Sequence, residues 1–313
     1  DRVPPNYTRK QTLVNAERFI TEELKIFENE MFSAEEEILA IEEGLYSKLL
    51  GSTLSKSREI LTAAKFIASA DVFCSLAEIA SERRYVRPVI DRSTDFTVKN
   101  GRHPVIEVML GRHPFTPNDL LLCGSSGKRI AIITGPNMAG KSTYLRMAAL
   151  IAIMAQIGSF VPAESARIGL IDRLFTRIGA RDELSRGQST FMVEMVETAN
   201  ILRHATDRSL VILDEVGRGT STYDGLSIAW SVIEYLQGQE GRRAAVLFAT
   251  HYHELTRLAD LLSGVTNLSM AVEETKDGVT FLHKVIESPS DRSYGIEVAR
   301  LAGVPSIVLR RSR

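Results

Sequence analysis

Hydrophobic residues in the first quarter of the chain recur at the spacing of an α-helix. From Ile20 to Leu49 they are separated by three or four positions, as on one face of an amphipathic helix, which predicts one long helix over residues 13–50. A second series with the same spacing runs from Ile60 to Ala77. Gly51 and Ser52 lie between the two series, and such a pair is typical of a turn. The pattern predicts an antiparallel pair of long helices, which would be either an ordinary helical bundle or a rigid arm that carries motion between domains.

The pattern changes at Tyr85, after which proline and glycine interrupt the helical spacing. Short β-rich segments follow at residues 105–108, 120–122 and 129–134. Predicted helices and strands then alternate: helix 141–157, strand 170–178, helix 190–205, strand 209–213, helix 224–237, strand 244–249 and helix 252–262. This alternation predicts an α/β fold with a mostly parallel sheet flanked by helices. Residues 265–272 and 279–286 are expected to form a terminal antiparallel pair.

We therefore expect a domain boundary near residues 84–95. It would separate a helical segment, residues 1–84, from an α/β domain, residues 85–313. The two segments differ in periodicity and in their content of proline and glycine, which is the usual sign of a change in architecture.

Composition and charge indicate neither a membrane segment nor a bulk attraction to nucleic acid. The chain of 313 residues is 44% hydrophobic and 25% charged, with a net charge of −1, which is typical of a globular protein. It has no run of eighteen or more apolar residues, so no membrane-spanning segment is expected. Cys74 and Cys123 are too few for a disulfide framework or a cysteine zinc site. Buried, reduced thiols in a cytoplasmic protein are the expectation.

A glycine-rich loop follows the predicted strand 129–134 and precedes the predicted helix 141–157. From Gly135 to Ser142 it has the spacing Gly-x-x-x-x-Gly-Lys-Ser, which defines a P-loop. The glycines let the backbone turn its N–H groups toward phosphates, and the start of the helix adds partial positive charge. Lys141 is expected to contact the β- and γ-phosphates, and the Ser142 hydroxyl to bind Mg²⁺. The loop therefore predicts a nucleoside triphosphate site.

Acidic and imidazole side chains follow two later strands. Asp214 and Glu215 come at the end of the apolar segment 210–213, and His251 follows the segment 245–250. Ligands of α/β proteins bind at the carboxyl ends of the strands. Asp214 is therefore expected to hold Mg²⁺, and Glu215 to orient and polarise the attacking water. His251 is expected to hydrogen-bond the γ-phosphate or that water.

Two further segments carry hydroxyl groups close to predicted helix starts. Ser189 and Thr190, with Glu194 after them, have the character of N-terminal capping residues. A helix start of this kind is also a good phosphate binder and could serve the nucleotide of a neighbouring subunit. The loop 217–225 directly follows the two carboxylates and is rich in glycine and hydroxyl groups. It is expected to be a switch or a subunit contact, through Thr220, Ser221 and Asp224.

Four segments follow one another in the order of an ABC-type ATPase: Thr134–Thr143, Ser189–Met195, Asp214–Gly225 and Ala249–Leu255. Their residues strongly resemble the MutS family of DNA mismatch repair proteins. Gly101–Pro104 and Arg9–Phe19 fit the same family, so the resemblance covers essentially the whole sequence. Taken together, these segments are far more specific than the P-loop alone.

The resemblance implies an ATPase that binds ATP or ADP with Mg²⁺ and drives a DNA clamp. The nucleotide-binding residues that it implies are Phe115, which would stack on adenine, and Gly135, Pro136, Asn137, Met138, Ala139, Gly140, Lys141, Ser142 and Thr143. It implies a homodimer joined through the ATPase domains, in which Ser189 of one subunit reaches the γ-phosphate held by the other. It further implies mismatched double-stranded DNA and a MutL-type repair protein as partners, no membrane, and a cytoplasmic, nucleoid-associated location in bacteria.

Parts of the family's structure are expected to lie outside this sequence. None of the twelve Phe residues is followed by Glu at the second position, so the Phe-x-Glu wedge that reads mismatches is expected to be absent. The DNA-gripping clamp and the C-terminal helical dimerisation segment are also expected to be absent. Residues 1–84 would then be core and lever helices, which favours the rigid arm.

Two alternative functions stay open at this point. One is a MutS branch that acts on recombination junctions. The residues of Gly217–Thr222 argue against this branch. The other is a nucleotide-gated scaffold that recruits partners and hydrolyses ATP only as a slow reset.

Overall fold

The computed structural model describes residues 3–124, 127–179, 190–238, 243–275, 278–288 and 294–312. The chain forms two compact units, Asp1–Cys74 and Ser75–Arg313. The division falls within the long helix Ser57–Arg83, so the domain boundary near residues 84–95 stays a prediction.

The first unit begins with a β-hairpin where the sequence predicts the start of a helix. Strands β1, Thr8–Leu13, and β2, Ala16–Ile20, pair antiparallel around a two-residue turn. Thr21 then caps helix α1, Glu22–Ser55, by accepting a hydrogen bond from a backbone N–H of its first turn. The predicted helix over residues 13–50 was wrong at its start. A two-residue turn joins short strands there, and the strong N-cap comes only at Thr21.

The predicted antiparallel helix pair is also wrong. Helix α1 continues through Gly51 and Ser52, and α2, Ser57–Arg83, begins only one residue after α1 ends. A glycine inside a helix costs only about 1 kcal/mol relative to alanine, and the helix continues through Gly51. Helix α1 is described along its whole length, and none of its residues is buried; Phe27 is 65% exposed. The apolar stripe of α1 is therefore left uncovered.

Helix α2 is long and apolar enough to cross a membrane, judged by length and composition only. Its most apolar 18-residue window has a mean hydropathy of 1.6, and no other helix in the described parts of the chain meets this test. One such helix is a weak indication, because core helices of water-soluble proteins meet the same test. Lys65 and Asp71 also lie in α2, and charged residues are costly at membrane depth. The expectation of no membrane-spanning segment is not overturned by this helix.

The second unit is built on a mixed sheet in which most strands run parallel. The strands are β6 Ile130–Thr134, β8 Leu174–Arg177, β9 Leu210–Asp214, β10 Ala245–Ala249, β11 Val265–Thr275 and β12 Gly278–Ile286. Their order is β12-β11-β6-β10-β9-β8. Neighbours from β11 to β8 are parallel, and β12 pairs antiparallel with β11. The predicted parallel sheet and terminal antiparallel pair are both confirmed.

Helices cover both faces of this sheet. Helix α4, Lys141–Gln156, packs on one face with Ile133 and Leu247, whereas α6, Thr222–Gly238, packs on the other with Phe248. Helix α5, Thr190–His204, belongs to the same side as α6. Successive strand residues point to opposite faces, and the strands are continuously apolar because both faces are buried. The predicted α/β fold class is confirmed.

A smaller sheet and several short helices complete the described chain. The sheet has the order β3-β7-β4-β5, formed by β3 Val89–Asp91, β4 Phe96–Gly101, β5 Asn118–Leu122 and β7 Ser165–Gly169. The helices are α3 Pro104–Met109, a 3-10 helix His253–Arg257, α7 Leu258–Leu261, α8 Gly295–Leu301 and α9 Ser306–Arg311.

Three predicted elements of this unit differ from the structure. The predicted helix 252–262 is a 3-10 helix, His253–Arg257, followed by the short α7. Residues 105–108 form helix α3 rather than a strand, because Pro104 begins the helix and His103 caps it. The His103 Nδ1 accepts from two backbone N–H groups of that first turn, both at 3.3 Å. The predicted strand 170–178 is shortened to β8, Leu174–Arg177.

Candidate nucleotide-binding site

Three parallel strands bring the predicted site residues to one edge of the main sheet. Strands β6, β10 and β9 are hydrogen-bonded neighbours in that order. The P-loop follows β6, His251 follows β10, and Asp214 and Glu215 lie at the end of β9. Because the strands are parallel, these groups meet at the carboxyl edge, where α/β sheets bind ligands.

The P-loop has a backbone that favours glycine at two positions. Gly135 has a φ of +129° and Gly140 a φ of +106°, both in the left-handed region. A Cβ at Gly135 would lie 3.0 Å from the Met270 Cβ, so the loop is also closely packed there. Gly140 precedes α4, whose first turn has no side-chain cap. The N–H groups of that turn are therefore available to a phosphate.

The remaining loop residues divide between the interior and the surface. Pro136 and Ala139 are buried, Thr143 is half-buried, and Asn137 and Met138 are exposed. The two exposed residues form the tip of the loop, where an incoming nucleotide can contact them.

The Lys141 ammonium group lies buried inside the loop. Its Nζ donates hydrogen bonds to the carbonyl oxygens of Gly135, at 2.7 Å, and Pro136, at 3.1 Å. Burial lowers the pKa of Lys141, and the negative charges of Glu215 and Asp214 act in the opposite direction. Carbonyl oxygens thus hold the cation at a place where phosphate oxygens would bind it more strongly.

Ser142 and Asp214 join the P-loop helix to strand β9. The Ser142 Oγ donates a hydrogen bond of 2.6 Å to Asp214 Oδ2. The other oxygen, Oδ1, is buried and has no hydrogen-bond partner among the described residues. Burial raises the pKa of Asp214, against the hydrogen bond from Ser142. A cation at Oδ1 would satisfy this oxygen and favour the ionised carboxylate.

The donor atoms at this position fit Mg²⁺. A hydroxyl and a single carboxylate suit an ion that keeps several waters and shares the oxygens of a substrate phosphate. Within the described residues, no group of three or more His, Cys, Asp or Glu could hold a metal ion. The arrangement therefore suits a cation that binds together with a nucleotide.

Glu215 is held by His251 and Arg218. The His251 Nε2 lies 2.5 Å from Glu215 Oε1, and Arg218 donates a hydrogen bond to Oε2. The hydrogen bond to His251, together with the charges of His251 and Arg218, lowers the pKa of Glu215 to about 2, against the effect of burial. The carboxylate is therefore ionised at neutral pH and able to accept a hydrogen bond from water. From the sequence, His251 was expected to hydrogen-bond the γ-phosphate or the attacking water. The direct contact between His251 and Glu215 was not predicted.

A cavity of about 370 Å³ opens beside these carboxylates. Its lining includes Ser142, Arg146, Asp214, Glu215 and Arg218. Since one water occupies about 30 Å³ of liquid volume, the cavity has room for a phosphate group and several waters.

A second and more apolar cavity, of about 290 Å³, adjoins the P-loop. Its lining includes Phe115, Met138, Thr143, Met147 and His283. Phe115 is a residue that the family resemblance assigned to adenine, and Met138 lies at the tip of the P-loop. Apolar walls with a few polar groups are typical of small-molecule sites.

His283 is a lining residue that the sequence did not reveal. It lies in β12, and its Nδ1 is 3.0 Å from the Ala139 carbonyl oxygen. Its own carbonyl accepts a hydrogen bond of 2.9 Å from Asn118 Nδ2. It has a φ of +52°, which is uncommon for a residue other than glycine. His283 and Ala139 are 144 positions apart, and only the predicted terminal strand pair placed His283 near the sheet.

The predicted subunit-contact residues lie at helix starts. The Ser221 Oγ accepts a hydrogen bond from the Asp224 N–H at 3.3 Å and donates to Asp224 Oδ2 at 2.8 Å, so these two residues cap α6. Thr220 is half-buried, and Thr190 is the exposed first residue of α5. Ser189 lies outside the described residues. A subunit contact through these residues stays a prediction.

The family models of MutS match most of the chain. Residues 131–313 match MutS domain V, and residues 1–37 match MutS family domain IV. Residues 1–37 are thus similar to part of a second MutS domain, and the assignment of residues 1–84 to core and lever helices stays a prediction.

Several curated relatives match over nearly the whole chain, and each is named DNA mismatch repair protein MutS. The relative from Protochlamydia amoebophila (strain UWE25) is 56% identical over 313 residues, covering 100% of this chain and 36% of the relative. The relative from Solibacter usitatus (strain Ellin6076) is 57% identical over 312 residues, covering 99% and 36%. The relative from Desulfitobacterium hafniense (strain Y51) is 55% identical over 311 residues, covering 99% and 36%. The chain thus spans little more than a third of the length of these relatives.

Proposed function

Since this chain belongs to the MutS family of DNA mismatch repair proteins, we propose that it binds ATP with Mg²⁺ and hydrolyses it to drive conformational change in mismatch repair. The observation that carries the proposal is the hydrogen bond between Ser142 and Asp214. It places the P-loop hydroxyl beside a buried carboxylate whose second oxygen has no hydrogen-bond partner among the residues that the structure describes. A hydroxyl and such a carboxylate would suit a Mg²⁺ ion that binds together with phosphate.

Each residue of the site then has a role in ATP binding or hydrolysis that agrees with its contacts in the structure. When bound, Mg²⁺ supplies positive charge next to the β- and γ-phosphate oxygens. The Lys141 ammonium exchanges its carbonyl partners, Gly135 and Pro136, for phosphate oxygens. Ionised Glu215 accepts a hydrogen bond from the attacking water and orients it toward the γ-phosphorus. His251 fixes the Glu215 carboxylate in place through their 2.5 Å contact.

The apolar cavity next to the P-loop is the proposed site of the adenine base. Phe115 and His283 supply rings for stacking, and Met138 supplies a polarisable side chain. The contact of His283 with the Ala139 carbonyl supports this assignment, because it ties the base pocket to the phosphate loop.

We further propose that two copies associate through their ATPase domains as a homodimer with shared nucleotide sites. The exposed start of α5, at Thr190, and the loop with Thr220 and Ser221 would contact the partner's nucleotide. Mismatched double-stranded DNA and a MutL-type repair protein are the proposed partners, and the bacterial cytoplasm at the nucleoid is the proposed location. The relatives named DNA mismatch repair protein MutS support a role in mismatch repair and favour it over the recombination branch.

ATP turnover by the intact chain tests this proposal. Turnover is measured with Mg²⁺ and with EDTA, in the absence of DNA and then with perfectly paired and mismatched duplexes. We expect hydrolysis that requires Mg²⁺ and does not distinguish the two duplexes, because mismatch reading is assigned to the part of the relatives that this chain does not match. Absence of Mg²⁺-dependent hydrolysis would contradict the proposed ATPase and leave the nucleotide-gated scaffold. Stimulation by the mismatched duplex alone would contradict the assignment of mismatch reading.

A further inference from the structure

Gly217, two residues after Glu215, has both of its backbone polar groups held by side chains from other elements. Its N–H donates a hydrogen bond of 2.5 Å to Glu194 Oε1 on helix α5. Its carbonyl accepts a hydrogen bond of 3.1 Å from the hydroxyl of Tyr252, which follows His251. The loop that carries the proposed catalytic carboxylate is thus fastened on two sides.

The loop also packs closely against helix α6. Gly217 has a φ of +89°, and a Cβ there would lie 2.5 Å from the Gly225 carbonyl oxygen. A Cβ at Gly219 would lie 3.0 Å from the Phe191 Cβ, which belongs to α5. The loop therefore packs closely on both α6 and α5, so we expect a displacement of either helix to displace the loop.

The Glu194 carboxylate is buried, which is costly unless the charge is compensated. Its second oxygen lies 3.9 Å from Arg177 Nη2. The same guanidinium places Nε 3.0 Å from Glu197 Oε2. Glu194 was expected to be part of helix capping at the start of α5. The structure instead directs its carboxylate to a backbone N–H 23 positions away.

The Tyr252 hydroxyl is kept as a hydrogen-bond donor by the same surroundings. Burial and then the negative charge of Glu194 raise the pKa of Tyr252. The phenol therefore stays protonated at neutral pH and continues to donate to the Gly217 carbonyl.

We propose that Glu194 is a positioning residue for ATP hydrolysis: through the Gly217 N–H it fixes the loop that carries Glu215, and it ties that loop to the start of helix α5. This inference rests on the proposed function. Glu194 lies one turn from Thr190, the end of α5 assigned to the partner's nucleotide. A shift of that helix end on nucleotide binding would then be transmitted to Glu215 of the same subunit.

The test compares three variants of the intact chain with the wild type. Glu194→Ala removes the acceptor of the Gly217 hydrogen bond. Glu194→Gln keeps an acceptor oxygen but removes the charge. Glu197→Ala is the matched control, because Glu197 lies on the same helix and contacts the same Arg177 without reaching Gly217. For each protein, kcat, the Kd for ATP and the thermal unfolding midpoint are measured.

We expect Glu194→Ala to lower kcat about 10-fold or more, because a buried hydrogen bond to a charged group is lost. The Kd for ATP should stay within about twofold, since no P-loop contact changes. Glu194→Gln should keep kcat within about threefold of the wild type, and Glu197→Ala should match the wild type. A general weakening of the fold would not lower kcat at unchanged ATP affinity in Glu194→Ala while leaving Glu194→Gln close to the wild type.

Tyr252→Phe gives a second test that removes only one hydroxyl group. We expect kcat to fall by about threefold at unchanged ATP affinity, since one neutral hydrogen bond to Gly217 is lost. This variant keeps the ring and stays informative even where Glu194→Ala fails to fold.

Wild-type kcat in both Glu194→Ala and Tyr252→Phe would overturn the inference while leaving the proposed ATPase intact. Equal loss of kcat in the Ala and Gln variants at position 194 would overturn it as well, because the charge rather than the hydrogen bond would then matter. Absence of hydrolysis in the wild-type chain would overturn the proposed function, and this inference with it.

Discussion

The two units of the chain differ in where their apolar residues lie. Leu247 in the main sheet is 0% exposed, whereas Leu45 in helix α1 is 60% exposed. Both belong to a hydrophobic pattern that predicts the correct type of element. A strand between parallel neighbours is buried by the sheet and its flanking helices, but a long helix obtains most of its stability from a packed apolar face. Periodicity therefore predicts which element a segment forms, and does not predict what covers it.

The largest effect is expected in the second unit, at Asp214, whose Oδ1 has no hydrogen-bond partner within the described parts of the chain. Asp214→Ala should lower Mg²⁺-dependent ATP hydrolysis at least about 100-fold, because several kcal/mol of charge stabilisation by the metal are lost. Phosphate release over a range of Mg²⁺ concentrations measures this loss. Asp260→Ala, at an exposed position of the same unit, is the control and should behave as the wild type. An Asp214→Ala protein with the wild-type Mg²⁺ dependence would remove Asp214 from the proposed site.

A matched pair of leucine substitutions tests the difference in burial between the two units. Leu247→Ala should lower the free energy of unfolding by about 2–5 kcal/mol, because it leaves a cavity in the sheet core. Leu45→Ala should change it by less than about 0.5 kcal/mol, because its side chain is mostly exposed. Chemical denaturation of both variants measures the difference. Equal losses would mean that the stripe on α1 is covered in solution.

Acid should weaken the contact between Glu215 and His251 before it affects the sheet core. The pKa of Glu215 is lowered from 4.5 to about 2, so its contribution to stability is complete above pH 4.5 and is lost as the pH falls toward 2. Because Glu215 is partly exposed to solvent, this contribution is on the order of 1 kcal/mol. Unfolding free energies measured across this pH range should fall less steeply in Glu215→Gln than in the wild type. Parallel pH profiles would contradict the lowered pKa.

The smallest effect is expected in the first unit, at the glycine that the sequence assigned to a turn. Gly51 lies inside α1, so Gly51→Ala should stabilise the helix by about 0.5–1 kcal/mol. Thermal unfolding followed by circular dichroism measures the change, with Gly44→Ala, also inside α1, as the control. If Gly51→Ala destabilises the protein and Gly44→Ala does not, Gly51 lies in a turn, as the sequence predicted.

Local sequence predicted the parts of the site that depend on neighbours in the chain. The P-loop needs two glycines at fixed spacing because Gly135 and Gly140 adopt positive φ, and this requirement is visible in the sequence itself. Asp214 and Glu215 could be placed because a buried parallel strand ends at them and the sheet edge is shared.

The missed contacts join residues that are far apart in the sequence. His283 meets Ala139 beside the apolar cavity, and Glu194 on helix α5 meets Gly217 in the loop after β9. Neither pair has a spacing that periodicity can detect, because both depend on how helices and strands pack. The start of α1 was misplaced for a different reason. The hairpin before it also carries apolar residues, and the spacing of those residues does not distinguish a short strand from a first helical turn.

We propose that one loop binds the nucleotide and that a separate carboxylate orients the water that hydrolyses it. The most direct test of this division measures ATP affinity and single-turnover hydrolysis in Lys141→Ala and Glu215→Ala. Lys141→Ala should lose at least about 10-fold in ATP affinity, because a buried cation no longer meets the phosphates. Glu215→Ala should bind ATP as the wild type does while hydrolysis falls about 100-fold or more. Wild-type hydrolysis in Glu215→Ala would contradict the account.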